Sequence, residues 1–315
     1  MTVRFSTSPL GLGLATVMRL PKTADQMRVL DAAYSAGFRH FDVAPAYGLG
    51  RAETLLGTWL ASAGADVTIA TKVGLPPSQV AARVAMVQGP LRRVLAASPR
   101  LRGWVKARSS LATSSGAAPS VAQIENSLDQ SLREIGRSPD VLLLHEVPAS
   151  ALGDDVAATL RRLQQDGSVS YVGASGPQEV AEGGAARLGL DTVVVQIPVD
   201  LGAEVTFAPR RGDSCMGTIR YGLLSRYLHP LTERLCSTGL GRAVESSIGL
   251  PLRTKADVAS LLAMLALDRW PDDTLLIGST SHANLERLGA AVRNDQRLSP
   301  EALAEVFRRL QAHLQ

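Results

Sequence analysis

DVLLLHEV, residues 140–147, is the stretch on which the fold turns. Val141, Leu142, Leu143 and Leu144 form an unbroken apolar run that ends in the polar pair His145-Glu146. A strand with one wet face alternates apolar and polar residues. A continuous run suits a strand buried on both faces, as in a parallel sheet covered by helices. The polar pair then marks the place where the buried run reaches solvent.

Runs of the same kind recur on either side. Before it stand GLGLATV (11–17), HFDVA (40–44) and VTIATKV (67–73). After it come SYVGAS (170–175), TVVVQIPV (192–199), MGTIRY (216–221) and TLLIGST (274–280). Helical segments separate them. Thr23-Ala24-Asp25-Gln26 reads as a capping box ahead of Leu30, Ala33 and Tyr34, with Gly37 as the stop. Ser120-Val121-Ala122-Gln123 repeats the device before Ile124, Leu128, Leu132 and Ile135. Val156, Leu160 and Leu163 mark a further amphipathic helix that ends near Gly167. Eight strands alternating with helices predict an α/β fold, a (β/α)8 TIM barrel formed by residues 1–315 as a single domain. A doubly wound sheet is the alternative. Against it, Gly11 and Gly13 are followed by Thr16 where the dinucleotide fingerprint needs a third glycine.

Two places break the rhythm. Residues 75–119 separate the third strand from its helix by far more than a usual connection. They predict a long basic insertion, with helical-looking pieces at 80–87 and 91–97. Arg83, Arg92, Arg93, Arg100, Arg102, Lys106 and Arg108 fall there without one acid. Basic clusters can meet nucleic acid, but no series of aromatics is interleaved for base stacking, so no nucleic-acid partner is expected. At 201–214 a helix is expected after the sixth strand, yet the pattern is weak.

With 45% hydrophobic and 20% charged residues and a formal charge of +4, the chain has the composition of an ordinary globular protein. Two cysteines without CxxC spacing imply neither a disulfide framework nor a metal site. No apolar run reaches the length of a membrane span, and the N-terminus lacks a signal-like apolar stretch. A cytoplasmic protein without a membrane partner is the default expectation. Oligomeric state is not readable.

In such a barrel, functional groups gather where strands end. The second strand ends at Asp42, with Tyr47 in the loop beyond, and the third supplies Lys72. The fourth supplies His145 and Glu146. An ammonium beside a phenol lowers its pKa from about 10, an acid holds that ammonium charged, and an imidazole can donate to a carbonyl oxygen. These types together point to acid–base chemistry at a carbonyl or alcohol. With no flavin or redox-metal motif in sight, a diffusible nicotinamide would carry the hydride.

The segment GFRHFDVAPAYGLGRAETLLG (37–57) resembles the aldo-keto reductase signature. IATKVG and LLLHEV are similar to that family's lysine and histidine strands, and YVGASG and VVVQIPVDL to its fifth and sixth. LLIGSTSHANLERL is similar to its phosphate-binding segment. The resemblance implies a (β/α)8 barrel that interconverts carbonyls and alcohols with NADP(H), or alternatively NAD(H). It makes Tyr47 the proton donor and acceptor, tuned by Lys72 and Asp42, with His145 orienting the substrate oxygen. Ser175 and Gln196 would hold the nicotinamide carboxamide. Gly278, Ser279, Thr280, Ser281 and Asn284 would wrap the phosphates.

Three departures stand out. Gly176 replaces the family's usual Asn after the serine. The seventh strand offers Arg220, taken as a cofactor contact, and Tyr221 where an aromatic is common. The phosphate segment lacks a basic residue before Arg287. Trp104, in the insertion, and Glu146 are the substrate-side candidates, while Glu53 and Trp59 read as structural. APAYGLGRAE looks closest to branches that oxidise free sugars or reduce small aldehydes. A second reading, a cofactor-binding regulatory or non-catalytic barrel subunit, is opposed by the retention of all four polar residues.

Overall fold

The computed structural model describes residues 5, 7–74, 118–202, 215–236, 239–293 and 298–310. Eight parallel strands close into a barrel in sequence order: β1 (Leu10–Gly13), β2 (His40–Asp42), β3 (Thr68–Val73), β4 (Val141–His145), β5 (Tyr171–Ser175), β6 (Thr192–Pro198), β7 (Cys215–Tyr221) and β8 (Thr274–Ile277). β8 pairs back onto β1 through Leu275 and Leu10. All eight apolar runs are therefore strands of one (β/α)8 barrel.

The differences lie at the ends of elements. β1 stops at Gly13, and Leu14–Val17 turns into a short helix that buries Leu14 and Val17. An apolar run alone does not separate a buried strand from a buried helical turn. The expected capping box at Thr23 does not form. The helix Thr23–Ser35 is preceded by Lys22, without a side-chain cap. Gln26 is instead buried and donates to the Leu20 carbonyl at 2.8 Å. The second capping box does form: Ser120 and Gln123 exchange hydrogen bonds at the start of the helix Val121–Ile135. The insertion lies almost wholly outside the described residues, as do its helical pieces, Trp104 and residues 203–214 after β6.

Strand alternation decides what faces the barrel axis. Phe5, Ala70, Val141, Leu143, Val194, Ile219 and Leu276 form the inner core. Phe5 closes the floor, edge-on to His40 and Tyr171 at centroid distances of 5.9 and 5.4 Å. His40 is fully buried there, its Nδ1 2.9 Å from the Thr68 hydroxyl. Two residues further along, the same inner face presents Asp42 above His40, Lys72 above Ala70, and His145 above Leu143. Ser175 follows Gly173, Gln196 follows Val194, and Tyr221 follows Ile219. The polar residues thus form the top layer of the inner face.

The helix Arg51–Ala63 anchors this rim from outside. Glu53 is buried and accepts from the Thr71 hydroxyl at 2.7 Å and from Ser131 at 2.6 Å, tying β3 to the helix Val121–Ile135. Burial raises its pKa despite these bonds. Trp59 is buried against Phe41 and donates its indole N–H to Asp31 at 2.7 Å. Both positions are structural. Among the described residues no helix is long and apolar enough to cross a membrane.

Candidate active site

A cleft of about 680 Å³ opens at the C-terminal ends of the strands. Its floor is a buried hydrogen-bonded chain. The Lys72 ammonium donates to both Asp42 carboxylate oxygens at 2.7 Å and to the Val43 carbonyl at 3.1 Å. Asp42 accepts a third bond from Gln196 Nε2 at 2.7 Å, and Ser175 Oγ donates to Gln196 Oε1 at 2.6 Å. The sheet register sets this up by placing His145, Ser175 and Gln196 opposite one another on adjacent strands.

Tyr47 reaches the floor from the loop after β2. Its backbone N–H donates to the Ala44 carbonyl at 2.9 Å. The chain then turns through Gly48, Leu49 and Gly50, with φ of 56°, 63° and 85°, before the helix Arg51–Ala63 begins. Two glycines carry most of that left-handed stretch, which ordinary residues resist. The phenol ring centre lies 5.0 Å from Lys72 Nζ and 6.2 Å from the His145 ring, edge-on to it. Asp42, Tyr47, Lys72 and His145 are thus brought together from three strand ends and one loop.

The electrostatics correct one expectation. Burial raises the Tyr47 pKa and outweighs the lowering by Lys72, with Asp42 adding to the rise. The phenol is held above its ordinary value, not below it. Burial would lower the Lys72 pKa, but Asp42 and Tyr47 prevail and keep the ammonium charged. His145 falls to about 3, first through burial and then through Lys72, so its imidazole is neutral.

Ser175, Gln196, Gly278, Ser279, Thr280, Ser281 and Asn284 all border the same cleft. Ser279 and Ser281 accept backbone N–H bonds from Ser281 and Asn284, shaping the turn into the helix His282–Arg293. Glu146 lines the cleft as well. Arg220 requires a correction. β7 alternation turns it away from the cleft, where it donates to Asp273 at 2.7 Å and lies 3.8 Å over the Trp270 ring. Its neighbour Tyr221 is the β7 residue that faces the cleft. Arg287 is also engaged elsewhere, paired with Asp257. Among the described residues, the cations that do line the cleft are Arg19 and Lys255, which motif reading missed. Neither belongs to a strand end. Lys255 opens the helix Lys255–Arg269, and only the fold carries it to the cleft.

The sequence model of the aldo/keto reductase family matches residues 9–204, more than half of the chain. The chain belongs to the aldo/keto reductase family. Solved structures agree on the fold. A glycerol dehydrogenase from Gluconobacter oxydans is 19% identical, with a TM-score of 0.67 over 99% of this chain and 94% of its own. An aldo-keto reductase from Klebsiella pneumoniae, solved in complex with NADPH, is 17% identical, with a TM-score of 0.65 over 98% and 96%. A pyridoxal 4-dehydrogenase from Microbacterium luteolum is 46% identical over 68 residues. Those residues span 22% of this chain and 19% of that protein's length.

Proposed function

We propose that this family member is an NADP(H)-dependent oxidoreductase that interconverts a small carbonyl compound and its alcohol, with Tyr47 as the acid–base group. One observation carries the reading: a charged lysine locked by Asp42 beneath a protonated tyrosine, next to a neutral histidine, on the floor of an open cleft.

The cleft fits the cofactor. Ser175 and Gln196 present amide and hydroxyl groups that match a carboxamide, and Gly176 leaves their neighbour without a side chain. At the Ser279–Ser281 turn, the N-terminus of the helix His282–Arg293 offers first-turn N–H groups to phosphate oxygens. Lys255 and Arg19 add positive charge within the same cleft, which favours the extra phosphate of NADP(H) over NAD(H). When bound, the reduced nicotinamide supplies the hydride.

The protein's own residues then do the following. His145 donates an imidazole N–H to the carbonyl oxygen and orients it. Tyr47, protonated at neutral pH, donates its proton to that oxygen as negative charge develops there. Lys72 stabilises the phenolate left behind, and Asp42 fixes Lys72 in place. In the reverse direction the Tyr47 phenolate takes the proton back, and the raised pKa leaves little phenolate near neutrality to do so.

Fluorescence titration with NADPH and NADH is the first test, with tighter NADPH binding expected. A screen of small aldehydes, aldoses, glycerol and pyridoxal follows, run alongside Tyr47→Phe. The reading fails if neither cofactor binds, or if Tyr47→Phe keeps full turnover on a good substrate.

A further inference from the structure

The end of β4 carries an unusual backbone. Glu146 adopts the left-handed conformation with φ of 56°; Leu49 is the other non-glycine residue with positive φ among the described residues. Such a conformation costs about 1–3 kcal/mol and persists only where the surroundings impose it. Here the Glu146 N–H is fixed to the Ser175 carbonyl at 2.7 Å.

The room for this residue is made on the neighbouring strand. Gly176 sits just beyond β5 with φ of 152°. A Cβ added to it would stand 3.3 Å from Glu146 Cγ and 3.4 Å from its Cα, closer than or at the edge of comfortable contact. A side chain at 176 would therefore press on Glu146. The glycine that departs from the family's usual Asn and the acid beside the histidine occupy space as a pair.

The consequence is electrostatic. Glu146 lines the cleft with Tyr47, His145 and Tyr221. Burial is the main cause of the raised Tyr221 pKa, and the Glu146 carboxylate is the next; it also adds to the rise at Tyr47. The other charges acting there cancel or vanish: Lys72 is matched by Asp42, His145 is neutral, and Arg19 and Lys255, which also line the cleft, are not among the charges that shift Tyr221. Among the described residues, no ion pair or side-chain hydrogen bond engages Glu146. Its carboxylate therefore sets the sign of the field where a substrate's carbonyl substituent would lie.

We propose that Glu146, held over the cleft by its left-handed backbone and by the missing side chain at 176, selects carbonyl substrates with a positively charged group and turns away anionic ones. The inference rests on the oxidoreductase reading for the word substrate, but the charge preference is a property of the cleft itself.

It is tested by calorimetric binding and by turnover with NADPH, using benzaldehyde, para-trimethylammonio-benzaldehyde and para-formylbenzoate. The wild type should bind the cation at least about tenfold more tightly than the anion, a modest effect for opposite charges near a partly wet surface. Glu146→Gln should bring that ratio close to one, and Glu146→Lys should invert it. Gly176→Ala should lower it by displacing Glu146. Equal affinities for cation and anion, or a ratio unchanged in Glu146→Gln and Glu146→Lys, would overturn the proposal. Turnover separates the two readings. Charge-selective binding without reduction of any aldehyde would sink the oxidoreductase reading alone. Reduction of benzaldehyde without charge selectivity would sink this one alone.

Discussion

The barrel has two ends built on the same strands, and each holds a histidine, fully buried at one end and half-buried at the other. At the floor, His40 packs edge-on to Phe5 and shares a hydrogen bond with Thr68. At the rim, His145 faces an open cleft beside Tyr47. Burial, aided by Lys72, lowers both to about 3, so both imidazoles are neutral. Residue type and protonation state therefore do not distinguish a packing histidine from a chemical one. Position along the strand does: moving two residues along β2 takes the inner face from His40, closed in by neighbours, to Asp42, which holds an ammonium at the base of a cleft.

Breaking the rim at its charged pair should have the largest effect. Lys72→Met leaves Asp42 buried with, among the described residues, only Gln196 as a side-chain partner, and uncompensated buried charges cost about 3–5 kcal/mol. Urea denaturation should show a loss of that size, and turnover should fall together with stability. An unchanged midpoint would mean the pair is not locked as described.

The two histidines then separate the two ends. His145→Leu should lower kcat/KM by about 10²-fold, through loss of a donor to the carbonyl oxygen, while leaving NADPH affinity intact. His40→Leu should leave the KM for a good aldehyde unchanged and act on stability. Its sign with pH is fixed by linkage. Because the folded pKa of about 3 lies below the ordinary value of 6.5, the unfolded chain binds the extra proton between them, and stability falls as pH drops through that window. The slope is about 1.4 kcal/mol per pH unit for each such group. His40→Leu should remove one group's share of it, read by urea denaturation at neutral and mildly acid pH. An identical slope in wild type and variant would show that His40 is not buried neutral.

The smallest effect is expected at an exposed cation that lines the cleft. Lys255→Met should weaken NADPH by about two- to fivefold and leave NADH nearly unchanged, as befits one exposed cation near a phosphate. Equal losses for both cofactors would place Lys255 outside the discrimination.

Much of the rim was legible in the sequence because strand ends concentrate it. Asp42, Lys72 and His145 each follow an apolar run, and the fold needs only period-two alternation to bring them together. What escaped reading depends on three-dimensional context. Arg220 and Tyr221 are adjacent in sequence, and only the register of β7 decides which one turns inward. Leu14–Val17 is as apolar as a strand, and packing decides that it coils. The direction of the Tyr47 shift follows from how deeply the ring is buried, which residue types do not reveal. Lys255 lies far along the chain from any recognised motif and enters the cleft because its helix begins there.

The most direct test of the account is the pH dependence of aldehyde reduction by wild type and Tyr47→Phe. A phenol held above its ordinary pKa predicts wild-type kcat that is flat through neutrality and declines only on the far alkaline side. Tyr47→Phe should be slower by about 10²–10⁴-fold and lack that decline. A wild-type decline centred near neutrality, or a Tyr47→Phe enzyme with the same profile and rate, would contradict it.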